Sequence, residues 1–243
     1  MISSSPFKDA VEKNGFAVVD GVLSHPRVTD LLSALERING SDSLQMRGGV
    51  FAVRNLLDAC PEVRELAGSE AVRGLVEPVL GPNCFPVRGI LFDKVPDANW
   101  KVPWHQDLTI AVQERIDMEG FGPWSTKAGV LHVQPPAIVR ENMLSVRLHL
   151  DDCGEENGAL RVIPASNHRG RIPEAEIAAH RQKSAEVVCA VGEGGALLMR
   201  PLILHASSPS LSPSHRRIVH LDFASIDLPA GLRWFSEMLP MSA

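Results

Sequence analysis

His105-Gln106-Asp107, followed 98 residues later by His205, is a set of side chains able to hold a metal ion. In an extended strand, positions i and i+2 face the same side, so His105 and Asp107 can present an imidazole and a carboxylate to one point. A histidine from a distant strand completes a two-histidine, one-carboxylate face. It leaves the opposite coordination positions open, the arrangement of non-heme Fe(II) oxygenases, where a co-substrate and O2 bind. A second signal lies 11 residues beyond His205, at Arg216 in RPLILHASSPSLSPSHRRIVHLDFA (200–224). Pro201 to Ser207 reads as a buried strand with Ile203, His205 and Ser207 on one face, Ser208 to Ser214 as a turn, and Arg216 to Phe223 as the returning strand. Arginine suits a carboxylate clamp because its fork is planar and its charge permanent, and Ser207 can add a hydroxyl. A metal face with such a clamp is what 2-oxoglutarate requires, its keto acid end on the metal and its far carboxylate on Arg216 and Ser207. Alternation groups Arg217 with Val219, Leu221 and Phe223, and Arg216 with Ile218, His220 and Asp222. Arg216 therefore looks inward if the apolar set lies under helices, and Arg217 is the competing clamp.

These side chains need a rigid frame. Residues 7–15 and 26–38 have helical spacing, with a strand from Gly15 to Val19 between them, and Pro61 to Leu80 reads as one or two further helices closed by Gly81-Pro82. From Phe85 the pattern changes to short strands at 85–94, 103–112, 129–133, 143–150, 159–163, 187–190, 195–204 and 216–224. Helices followed by about eight strands predict a mainly β, double-stranded β-helix (a cupin-like jelly roll) with N-terminal helices packed on one sheet. The whole chain, 1–243, is expected to form one domain, helical to about residue 82 and jelly roll from about 83 to 225. The segment Gln113 to Ala128, with Gly120, Gly122 and Pro123, is expected to be an irregular lid. Trp124, Lys127, His132 and Gln134 follow the HxD strand and are candidates to meet a substrate. Arg147 and His149 share one face of the 143–150 strand, opposite Val146, Leu148 and Leu150, so they are hydrogen-bonded to partners or line a polar cavity. The latter would suit an anionic substrate.

Composition narrows the classes. A formal charge of −5, no tyrosine, and no basic cluster with interleaved aromatics give no footprint for nucleic acid or an anionic membrane. The opening MISSSPFKDA lacks a signal-peptide layout, and no apolar run reaches membrane-spanning length. Cys60, Cys84, Cys153 and Cys189 are widely spaced, without a CxxC, and read as free thiols of a cytoplasmic protein.

The segments PWHQDLTIAV (103–112), NGALRVIPASNHRGRI (157–172), LLMRPLILHASS (197–208) and HRRIVHLDFA (215–224), together with the opening 8–36, resemble the phytanoyl-CoA dioxygenase family of Fe(II)/2-oxoglutarate oxygenases. The resemblance implies metal ligands at His105, Asp107 and His205, a 2-oxoglutarate arginine at Arg216 and its neighbouring serine at Ser207. It also implies a further basic residue on an early strand, for which Arg54, Arg88 and Lys94 all qualify. Related halogenases carry a small residue where this chain keeps Asp107, so hydroxylation or another oxidation is expected. One departure is Pro164-Ala165-Ser166-Asn167-His168, where the family often has Gly-Ser-His after the proline. The expected reaction consumes O2 and 2-oxoglutarate and yields succinate, CO2 and an oxidised small molecule. A small acid, an amino acid derivative or a secondary metabolite is preferred as substrate over an acyl-CoA, since no basic groove for CoA phosphates is evident. The alternatives are a cupin-like metal enzyme that does not use 2-oxoglutarate and a non-catalytic binding protein on the same fold.

Overall fold

Residues 6–38 alternate helix and strand because their apolar positions do. In the computed structural model, which describes residues 6–38, 44–47, 50–94, 99, 101–127, 129–211 and 215–236, helix α1 (Pro6–Asn14) runs into strand β1 (Phe16–Val19) through Gly15, and α2 (His25–Ile38) follows. Trp100, the lid end at Ala128 and the turn residues 212–214 lie outside the described residues. Next come β2 (Leu44–Arg47) and β3 (Val50–Arg54), then the short α3 (Leu56–Ala59), α4 (Pro61–Gly68) and α5 (Glu70–Leu80). Helix α4 starts with proline at its first position, where a missing N–H costs nothing, and α5 ends at Gly81 in a positive-φ conformation that favours glycine.

Strand β4 (Phe85–Lys94) opens the barrel, followed by β5 (Val102–His105), β6 (Ile110–Val112), β7 (Trp124–Lys127), β8 (Val130–Val133) and a single-turn α6 (Ala137–Glu141). The chain then runs through β9 (Met143–His149), β10 (Leu160–Val162), α7 (Glu174–Gln182), β11 (Val187–Cys189), β12 (Ala196–Met199), β13 (His205–Ser207) and β14 (Arg216–Ala224). Seven strands form one sheet in the order β1-β12-β9-β14-β4-β3-β2, and four form the facing sheet, β11-β10-β13-β5. A third, three-stranded sheet has the order β6-β8-β7. This is the expected jelly roll with N-terminal helices on one sheet.

The period of two in β14 and β9 decides what faces where. Val219, Leu221 and Phe223 of β14, with Val146 and Leu148 of β9, are buried against Leu31, Leu56, Leu66, Val72 and Val76 of the helices. The opposite faces carry Arg147, Arg216 and His220 to the interior between the sheets. Arg217, on the helix side, pairs with Asp151 at 2.6 Å. All four cysteines are buried free thiols. Among the described residues no helix is long and apolar enough to cross a membrane.

Three local expectations need correction. The 103–112 stretch is two strands in different sheets, because pairing of β5 with β13 stops at His105 and the chain crosses over before Ile110. The strands expected at 195–204 and 201–207 are shorter, β12 and β13, separated by a turn whose Ile203 amide bonds back to the Arg200 carbonyl. The expected irregular lid contains β7, which pairs with β8 through Trp124 opposite Val133 and Lys127 opposite Val130. Glycine gives the clearest local constraint. Gly158 has φ +67°, and a Cβ there would come within 2.5 Å of the Ser208 carbonyl oxygen. Gly158→Ala is expected to cost about 1–3 kcal/mol through backbone strain and displacement of that turn. Calorimetry should read this as a drop of about 2–4 °C in Tm per kcal/mol; an unchanged Tm would mean that the turn is not held against Ser208.

Candidate active site

Strands β5 and β13 are antiparallel neighbours with His105 and His205 in register, so the two imidazoles meet with ring centroids 4.2 Å apart. Asp107 lies just beyond the end of β5, and its amide donates to the Pro201 carbonyl at 3.0 Å. Its carboxylate comes within 3.8 Å of His105 Nε2 and 3.7 Å of His205 Nε2. One ligand atom from each of the three residues lies within 4.8 Å of the others. Each histidine also has its other ring nitrogen against a backbone carbonyl two residues earlier, His105 Nδ1 on Pro103 O at 2.8 Å and His205 Nδ1 on Ile203 O at 2.9 Å. Donation from Nδ1 fixes the tautomer and leaves Nε2 as the free lone pair, which is how ligating histidines are held. Burial pushes His205 below the usual imidazole range and keeps it neutral, although Asp107 pulls the other way.

Gln106, between the two ligands, points away from them and is buried. Its Nε2 donates to Gly170 O (2.8 Å) and Leu202 O (2.6 Å), and its Oε1 accepts from Ile172 N at 2.8 Å. Ser166 works beside it, accepting from the Leu204 amide at 2.8 Å. These bonds lock the backbone on both sides of the ligand pair. Neither residue was a sequence candidate, because a buried amide or hydroxyl bridging loops has no local signature. Ala165, where the family often has glycine, has φ +60°, a left-handed conformation that explains the glycine preference there.

The ligands open onto a cavity of about 160 Å³ walled also by Arg88, Phe92, Arg147, Ser207, Arg216 and His220. Among the described residues, Asp107 is the one carboxylate on that wall. Arg216 is buried, with Nη1 donating to the Gly158 and Asn157 carbonyls and Nε without a hydrogen-bond partner. Opposite it in register stands Lys94 of β4, whose Nζ donates to Ser207 Oγ at 3.3 Å and Ser208 O at 2.8 Å. Burial lowers the Lys94 pKa to about 7, and the positive charges of Arg216 and Arg147 act in the same direction. Of the three early-strand basic residues, Lys94 touches Ser207, Arg88 reaches the cavity from the Asp222 side, and Arg54 lies in a neighbouring pocket.

Arg147 is aimed by a relay. Its Nη1 meets His220 Nδ1 at 3.1 Å, His220 Nε2 meets Asp222 Oδ1 at 2.9 Å, and Ser145 Oγ donates to the same oxygen at 2.6 Å. Arg147 also stacks over Phe92 at 5.5 Å, and its Nε has no hydrogen-bond partner. His149 is buried with neither ring nitrogen bonded, and burial, with Arg147 and Arg216, lowers its pKa to about 3. It stands off the cavity wall. Gln134 and Trp124 are also not on that wall. The Gln134 side-chain amide lies against the Arg171 guanidinium at 3.0 Å, and Trp124 packs in an apolar cluster beneath Arg115. Lys127 and His132 instead line the neighbouring pocket that holds Arg54 and Arg88.

The donor set fits the expected groups. Two imidazole nitrogens and a carboxylate oxygen gathered at a cavity mouth, with the cavity side open, suit an octahedral Fe(II). The orphaned Nε atoms of Arg147 and Arg216, with Lys94 behind, suit a carboxylate entering from that side.

Fold and site together are a jelly roll that carries a two-histidine, one-carboxylate face at the mouth of a cavity. The chain belongs to the phytanoyl-CoA dioxygenase (PhyH) family, whose model matches residues 11–218. Over 183 residues it is 27% identical to the L-proline trans-4-hydroxylase of Streptomyces griseoviridis, an alignment covering 72% of this chain and 60% of that protein. The chain thus spans less than two thirds of that relative's length. Solved structures of the same fold include the α-ketoglutarate-dependent carbocyclase SnoK from nogalamycin biosynthesis, with TM-score 0.73, 18% identity and coverage of 93% and 85% of the two chains. The epimerase SnoN in complex with Fe3+, α-ketoglutarate and nogalamycin RO matches with TM-score 0.70 and 18% identity, covering 98% and 94%.

Proposed function

We propose that this protein is an Fe(II)- and 2-oxoglutarate-dependent dioxygenase that hydroxylates an unactivated C–H bond of a small molecule. The observation that carries this is the pairing of the three ligand atoms, within 4.8 Å of one another, with a far wall on which Arg216 and Arg147 supply positive charge and Ser207 a hydroxyl. His105, Asp107 and His205 hold the metal; Arg216 and Ser207 hold the distal carboxylate of 2-oxoglutarate, with Lys94 behind Ser207. When bound, the iron and the keto acid activate O2 and oxidise the substrate, releasing succinate and CO2. Arg147, fixed by His220 and Asp222, adds positive charge beside the keto acid. The apolar side chains Ile90, Phe92, Val102 and Leu160 exclude water from the same space. A metal enzyme without 2-oxoglutarate would leave Arg147 and Arg216 on the cavity wall with no small anion to recognise, so that reading comes second. The relative that hydroxylates L-proline supports a small substrate.

Anaerobic titration of the Fe(II)-loaded protein with 2-oxoglutarate tests the reading. A metal-to-ligand charge-transfer band in visible light is the expected result. Its absence from folded, iron-loaded protein would put the metal enzyme without 2-oxoglutarate first.

A pH dependence follows from Lys94. The titratable groups facing it include Arg216 from β14, Arg147 from β9 and the Cys153 thiol from the turn after β9. With its pKa near 7, Lys94 loses its proton above neutrality in the free protein. An incoming carboxylate favours the charged form, so binding takes up a proton above pH 7. The Kd for 2-oxoglutarate is expected to weaken between pH 7 and 9, by up to about tenfold per pH unit. Lys94→Met should flatten that rise, and a wild-type Kd that stays constant from pH 7 to 9 would remove Lys94 from the carboxylate site.

A further inference from the structure

Asp107 is carried by a stretch of chain that lies off the sheets. Pairing of β5 with β13 ends at His105, β6 begins at Ile110, and the link 106–109 is neither helix nor strand. A carboxylate on such a link is aimed only as well as the backbone beneath it is fixed. Gln106 and the Asp107 amide fix the first half, through Gly170, Ile172, Leu202 and Pro201. The second half is caught from other elements. Arg140 of α6 donates from Nη1 to the Leu108 carbonyl, and Lys127 of β7 donates to Thr109 Oγ1 at 3.0 Å.

Arg140 is costly to keep where it is. It is 2% exposed, and its Nε is buried without a hydrogen-bond partner among the described residues. Burial, and then the charge of Arg171, lower its pKa to about 10, so it stays charged at neutral pH, while the negative charge of Asp107 acts in the opposite direction. A buried cation with an unbonded donor destabilises a fold unless something nearby uses it. Holding α6 in place does not require one, because Val139 already packs that helix into the cluster of Val112, Val133 and Met143. What the guanidinium meets is the ligand segment: the carbonyl of Leu108 and the charge of Asp107.

We infer that Arg140 is a positioning residue for the metal ligand Asp107: by gripping the Leu108 carbonyl, with its charge near the carboxylate, it holds the link 106–109 so that Asp107 faces His105 and His205. Arg140 acts through the backbone and is not itself a ligand. The role exists only if the three ligands hold a metal, so the inference rests on the oxygenase reading.

The test is a double-mutant cycle on Co(II) affinity, measured by equilibrium dialysis on the full chain. Arg140→Met keeps much of the apolar stem and removes the donor and the charge. It is expected to weaken the Co(II) Kd by about tenfold or more, the loss typical when support behind a ligand is removed. In an Asp107→Ala background the same substitution is expected to change the Kd by less than about twofold, since the carboxylate it acts through is gone. Arg140→Lys, which keeps the charge and a donor, is expected to recover part of the affinity. If Arg140→Met folds poorly, Arg140→Lys carries the same cycle, its smaller loss again confined to the protein that has Asp107. A folded Arg140→Met with the wild-type Kd, whatever its Tm, would overturn the inference, and so would equal losses with and without Asp107. A folded wild type that binds no Co(II) would overturn the oxygenase reading as well.

Discussion

His205→Ala is expected to abolish tight Fe(II) binding and, with it, the charge-transfer band and all succinate release. His205 is the most enclosed of the three ligands, at 4% exposure, and it alone comes from the second of the two paired strands. Without it, His105 and Asp107 remain as a two-ligand site at the end of β5, and an octahedral ion held at two positions exchanges freely with water. Losing a hydrogen-bond partner behind a ligand already costs about 10–100-fold in metal affinity, so losing the ligand itself should cost more than about 100-fold. Equilibrium dialysis against Fe(II), or against Co(II) as an air-stable probe, measures it directly. A variant that retains metal within a few-fold of wild type would sink the assignment of the metal face. The fold should survive, because the apolar neighbours of His205, Ile203, Leu204 and Ala206, remain buried.

Arg216→Ala is expected to leave metal binding intact and to weaken 2-oxoglutarate by about 100-fold or more. A buried, charge-assisted pair that loses its cation costs about 3 kcal/mol or more, because the remaining carboxylate is left poorly solvated. That energy corresponds to about two decades in Kd. Arg216→Lys should recover only part of the loss, since an ammonium lacks the planar fork. Arg216 also holds the turn at Asn157 and Gly158, so a fall in Tm is expected alongside. Metal affinity separates the two effects: loss of 2-oxoglutarate with metal retained marks a clamp, and parallel loss of both would mark a structural role. An unchanged 2-oxoglutarate Kd would hand the clamp to Arg147 and Lys94.

Much of this was legible beforehand, and for identifiable reasons. The strand period placed Arg216 and Arg217 on opposite faces of β14, and Asp151 accounts for the second of them. The same period grouped Arg147 with His149, yet only Arg147 reaches the cavity. Sequence could not separate them, since the same face lies at a different depth two positions further along a twisted strand. Which of Lys94, Arg54 and Arg88 stands beside Ser207 could not be read from sequence, because it depends on the register of β14 against β4, a long-range pairing. Gln134 and Trp124 were placed near the iron by proximity in sequence, and the β7–β8 pairing carries them elsewhere.

By itself the sequence determined the chemistry: two histidines, a carboxylate and an arginine of fixed types at fixed separations, and alternating strands able to bury them. Those are local properties, set by side-chain identity and the two-residue period of an extended chain. The tertiary structure decided the convergence. His105 and Asp107 do not share a continuing strand; Asp107 is drawn in by the Pro201 carbonyl while Gln106 ties the neighbouring backbone to Gly170, Ile172 and Leu202. Where a strand stops, and which loop then catches the next residue, depends on hydrogen-bond partners dozens of residues away that no local pattern encodes.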